Sequence, residues 1–109
     1  MPNEDDPELD IVLSVLSKQR ARFVCYYLMA EDISEVNELF LAREVVVWET
    51  GIEQSRVPTE RVMQMLENLQ DNLLPRLDEA QFVEYNPAEN TVRYGAPPGP
   101  FERLILICQ

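Results

Sequence analysis

Histidine is absent from this 109-residue chain, and only two cysteines, three glycines and one tryptophan occur. Without histidine, the usual acid/base group of neutral pH and most metallohydrolase designs are missing. Cys25 and Cys108 lie too far apart in sequence for a zinc-ligand pattern or a disulfide scaffold. They read as two small apolar side chains. Acidic residues are plentiful but spread over helix surfaces and termini, without an aspartate-rich signature. The expectation is therefore a non-enzyme with no cofactor and no metal. No run of 18 apolar residues occurs, which excludes a conventional spanning helix. Glu4, Asp5, Asp6, Glu8 and Asp10 open the chain with no basic residue among them, the reverse of a secretory signal. The expected compartment is the cytoplasm, with no membrane partner.

Lysine is almost absent too. Nine basic residues stand against 20 acidic ones, a formal net charge of −11, and Lys18 is the single lysine beside eight arginines. Two explanations fit such an excess. One is an acidic surface that binds a basic protein. The other is a cytoplasm at molar salt, where screening falls to about 3 Å and self-repulsion becomes tolerable. Sparse lysine with abundant Asp and Glu resembles the proteins of salt-accumulating halophilic archaea. The hydrophobic fraction of 46% is that of a folded chain, and the length fits one domain.

Apolar spacing then divides the chain. Asp6 (N-cap), Pro7 and Glu8 start a first helix, whose Leu9, Val12, Leu13 and Leu16 form one face. Ile11 and Val15 widen that face beyond a single core stripe. In the segment from Lys18 to Ala30, Ala21, Val24, Cys25 and Leu28 recur at helical spacing, with Lys18, Arg20 and Arg22 at its amino-terminal end. The helix dipole does not favour cations there, so they serve either as a solvated counterweight to the acidic terminus or as phosphate contacts. Ser34 is the expected N-cap of a third helix from Glu35 to Trp48, with Val36, Leu39, Phe40, Arg43 and Val47 on one face. A loop follows, and Pro58 and Thr59 open the longest helical pattern, with Val62, Met65, Leu66, Leu69 and Leu73 inward. Pro75 implies a kink or a restart near position 74. Phe82–Tyr85 and Thr91–Tyr94 flank a turn-rich pentapeptide and predict a β-hairpin.

Helix, helix, helix, long helix and hairpin is the order of a winged helix-turn-helix. The expected fold is mainly α with a small β-hairpin. Residues 1–6 are an acidic tail, 7–94 the winged domain, and 95–109 a Pro/Gly connector with an apolar end. In that end, Phe101, Leu104, Ile105 and Cys108 repeat at i, i+3, i+4 and i+7. Leu104 to Ile107 fits a strand equally, whereas Pro100 at N1 and Glu102 in the first turn favour a short helix.

Several stretches resemble one family. They are Leu9 to Leu16, the arginine–aromatic run Gln19 to Leu28, the helix start Ser34 to Leu39, the block Leu73 to Ala80 with its Leu-Pro-Arg-Leu, and the hairpin that follows. Together they resemble the uncharacterised winged-helix domains abundant in haloarchaea, similar in form to small arsenic-type repressors, over about Leu9 to Tyr94. The resemblance implies a DNA-binding transcriptional regulator of a halophilic archaeon or its virus. It makes Glu35 to Trp48 the second helix of the reading unit, Thr59 to Leu74 the recognition helix, and Asn86 to Asn90 the wing. Gln81 stands where the family pattern usually has glycine at a helix exit.

On the recognition helix, Arg61 and the amides Gln64, Asn68 and Asn72 are the candidate base readers, since arginine pairs with guanine and amides with adenine. Lys18, Arg20, Arg22 and Arg93 are the candidate phosphate contacts. Ile11, Val15, Phe101, Leu104, Ile105 and Cys108 are the candidate surface of a homodimer. Against this stands the charge of the segment Pro58 to Arg76, which is 2 − 3 = −1. A winged scaffold used for protein contact, as an adaptor without DNA, explains that charge and the acidic total directly.

Overall fold

The computed structural model describes residues 16, 18–30, 35–97 and 99–107, with the side chains of 101 and 105–107 left out. The expected first helix up to Val15, the Ser34 cap, and the candidate dimer residues Ile11, Val15 and Cys108 lie outside the described residues. What is described is a mainly helical domain with a small three-stranded sheet.

Helix α1, Gln19–Ala30, buries Ala21, Val24, Cys25 and Leu28, the four positions its spacing marks. Helix α2, Glu38–Thr50, starts later than expected, because Val36 and Asn37 form strand β1 instead. The correction has two causes. Val36 is β-branched and buried, and it pairs with Val92. Asn37 then caps the helix, its Oδ1 accepting the Leu39 N–H at 2.8 Å. The inward face is also different. Leu41, Ala42, Val45 and Val46 are buried, while Leu39 and Phe40 are about two-fifths exposed. α2 ends on Gly51, whose φ of 71° suits a residue without a Cβ and whose N–H donates to the Val47 carbonyl.

After a 3₁₀ turn, Gln54–Arg56, helix α3 runs Thr59–Asn68 and buries Val62 and Met65. It passes through a π turn, Leu69–Leu73, into helix α4, Leu74–Glu79. Pro75 accounts for the expected irregularity at this point. Its ring would collide with the Asp71 carbonyl in a regular α-helix. The π turn relieves this, with the Leu74 N–H donating to Leu69, five residues back. The chain leaves α4 through Gln81 at φ 67°, so the glycine-like exit geometry is kept by a non-glycine. That conformation costs roughly 1 kcal/mol.

Strands β2, Val83–Asn86, and β3, Thr91–Tyr94, form the expected hairpin, and β1 adds to the far side of β3 in the order β1-β3-β2, all antiparallel. Phe82, Val83 and Val92 turn into the core beside Leu69, Leu74 and Leu77. The tail is a helix, α5, Gly99–Ile107, and it contacts α1. Leu104 packs against the core there, and the Tyr94 hydroxyl donates to the Glu102 carboxylate.

Candidate functional site

Three elements converge on one groove: the start of α1, the carboxyl half of α2, and the outer face of α3 with its π extension. Amphipathic α3 puts Val62 and Met65 inward, which leaves Arg61 and Gln64 exposed and Asn68 half-buried on the same side. One recess of about 230 Å³ is lined by Arg20, Glu49, Arg61, Gln64 and Asn68, among others. An adjoining recess shares Arg20, Glu49 and Asn68 and adds Lys18 and Asn72. Six of the eight expected nucleic-acid contacts therefore lie along a single groove, contributed by segments up to 54 positions apart in sequence (Lys18 to Asn72).

Its electrostatics differ from those of the whole chain. The lining holds Lys18, Arg20 and Arg61 against Glu49, so 3 − 1 = +2 in a molecule of net charge −11. Arg20 is held firmly. Its Nε and Nη2 donate to the two Glu49 oxygens at 2.5 and 2.7 Å, and its Nη1 donates to Asn68 Oδ1 at 2.9 Å. The hydrogen bonds to Glu49 raise the guanidinium pKa further above its ordinary value. Sequence reasoning missed Glu49, because it lies 29 positions from Arg20 and nothing local marks it as a partner.

The other two expected phosphate contacts lie elsewhere. Arg22 donates from Nη1 to the Leu16 carbonyl at 2.6 Å and lines a neighbouring recess with Phe23, Tyr26, Trp48 and Gln19, the last of which also borders the groove. Phe23 stacks on Trp48 in that recess with ring centroids 4.6 Å apart. Arg93 is exposed on β3, 3.5 Å from Glu84 on β2, facing an open depression that also carries Glu35 and Glu89. Of the candidate dimer residues, Leu104 is half-buried against the core, and Phe101 and Ile105 belong to α5.

Among the described residues, no group of three His, Cys, Asp or Glu side chains could hold a metal. None of the described helices is long and apolar enough to cross a membrane. Burial pushes the Cys25 thiol up to about 12, which leaves it protonated and a poor nucleophile at neutral pH.

A search of curated proteins and one of solved structures each find no match. A family model described as "Domain of unknown function (DUF7344)" matches residues 13–93, well over half of the chain, and the protein belongs to that family.

Proposed function

We propose that this DUF7344 member is a winged helix-turn-helix protein that binds double-stranded DNA and regulates transcription, with α3 as its recognition helix and the β2–β3 hairpin as its wing. One observation carries the reading. In a strongly acidic chain, three basic side chains and four amides, Gln19, Gln64, Asn68 and Asn72, share a groove whose lining includes one acid, Glu49. Phosphate contacts need the first chemistry and base edges the second. The acidic residues that made the recognition segment negative overall, Glu60, Glu67 and Asp71, are absent from that lining. Two-fold assembly of the chain, through Ile11, Val15 and the apolar face of α5, would set two such grooves at successive half-sites. Sparse lysine and the charge of −11 fit a halophilic archaeal cytoplasm as the setting.

A second reading has its own observation. Leu39, Phe40, Trp48 and Met63 are large apolar side chains, each at least two-fifths exposed on α2 and α3, and apolar surface of this kind favours a protein-contact adaptor. Charge reversal separates the two. Full-length protein carrying Arg61→Glu should lose at least tenfold in affinity for a duplex pool measured by fluorescence anisotropy, because one groove cation becomes an anion. Arg93→Glu, outside the groove and beside Glu84, should lose less. Equal affinities for wild type and both variants would favour the adaptor.

A further inference from the structure

We propose that Arg20 is the specificity-determining residue of the groove: it fixes which way the Asn68 amide faces, so that Asn68 reads guanine and not adenine. This rests on the DNA-binding reading above and deepens it. The orientation of an asparagine amide is normally open, since its oxygen and nitrogen are alike in shape. Here chemistry decides it. A guanidinium has only donors, so the Asn68 atom 2.9 Å from Arg20 Nη1 must be the oxygen. Arg20 is in turn immobilised by two parallel hydrogen bonds to Glu49, a planar fork that fixes the plane of its Nη1 as well.

Oδ1 of Asn68 is therefore turned toward α1, and Nδ2, with its two N–H donors, is turned away from it. A bidentate contact with adenine needs both amide atoms toward the base, the oxygen accepting from N6 and the nitrogen donating to N7. An amide with its oxygen committed to Arg20 presents donors instead. Guanine offers two adjacent acceptors, O6 and N7, on its major-groove edge. Lys18 and Arg61, in the same lining, are also pure donors. These three side chains, Lys18, Arg61 and the oriented Asn68, are together matched to an acceptor-rich edge.

Selection from a random duplex pool by the full-length protein, followed by sequencing, tests this. Wild type should prefer guanine over adenine at one position, on the order of tenfold. Asn68→Ala should flatten that position and leave others unchanged. Arg20→Met should convert it toward adenine, because the released amide can turn both atoms to the base. Glu49→Gln keeps the Arg20 charge but loosens its fork, and should weaken the guanine preference several-fold while raising affinity for all sequences. Circular dichroism melts check each variant, and Glu49→Gln carries the test if Arg20→Met does not fold. An unchanged preference in the folded Arg20 and Glu49 variants overturns the proposal. So does a uniform affinity loss in Asn68→Ala, which would mark a phosphate contact. Wild type that binds with adenine at the Asn68-dependent position overturns this inference alone, whereas wild type that selects no duplex overturns the DNA reading itself.

Discussion

Glu38 is 4% exposed at the first turn of α2, and it ties three elements together. Its Oε1 accepts from Gln70 in the π turn at 2.7 Å, and its Oε2 accepts from the Tyr85 hydroxyl at 2.8 Å. Its backbone N–H donates to the carbonyl of Asn90 in the hairpin turn at 2.9 Å. Burial and this carboxylate push the Tyr85 pKa from 10.0 to about 12. The folded state thus holds the phenolic proton more tightly than the unfolded chain does. The resulting stabilisation is complete below pH 10 and lost as pH rises toward 12. Glu38→Gln should lower the Tyr85 titration midpoint toward 10, read as the absorbance difference from a Tyr85→Phe protein, and should cost about 1–3 kcal/mol in urea melts. A midpoint unmoved by the substitution would show that burial and the nearby Asp71, not Glu38, set it. No sequence pattern announces this network, since its members are 32 and 47 positions apart. Gln81, by contrast, was legible. The resemblance set it where a helix-exit glycine is usual, which left either left-handed backbone or a different exit, and its φ of 67° is the first of these.

At the scale of elements, legibility followed how many apolar stripes a segment carries. α3 presents one dominant stripe and buries it, and α1 buries the four positions its spacing marks although Phe23, Tyr27 and Met29 also pack against the core. The segment Val36 to Trp48 offers overlapping apolar positions on several sides of the helix. Its choice of Leu41, Ala42, Val45 and Val46 as the inward set depends on what α3 and the sheet press against it. β1 was invisible for a related reason, since two residues carry no period and their strand character comes from pairing with β3. The groove was legible as residue types and illegible as a place. Summing charge along a helix mixes its faces, and the −1 of Pro58 to Arg76 hid a side whose acids lie outside the groove. Gly95 marks the join between hairpin and tail. A Cβ there would lie 2.6 Å from the Gln81 carbonyl oxygen and 2.9 Å from backbone atoms of Phe82 and Val83, none of which can swing aside. Gly95→Ala should therefore destabilise the domain by about 1–3 kcal/mol in a urea titration. A neutral result would mean that the hairpin end yields more readily than its packing implies.

For the molecule as a whole, charge dominates. Two ion pairs are seen among the described residues, Arg20–Glu49 and Arg93–Glu84, against a net charge of −11. The remaining acids repel one another until salt screens them. The melting temperature should climb steadily from low to molar KCl, and a flat profile would count against both the repulsion and the halophilic setting. On the proposed DNA reading, that charge opposes the approach of a polyanion, so binding should use few phosphate contacts and release few counterions. Lys18 and Arg61 are the groove cations not clamped by Glu49, with Arg22 and Arg93 as outlying additions. The most direct measurement is the affinity of the full-length protein for duplex DNA across a KCl series. Binding should persist with a log–log slope between about −2 and −4, one unit or slightly less for each phosphate neutralised. No measurable affinity at any salt concentration, or an affinity indifferent to Arg61→Glu, would contradict it.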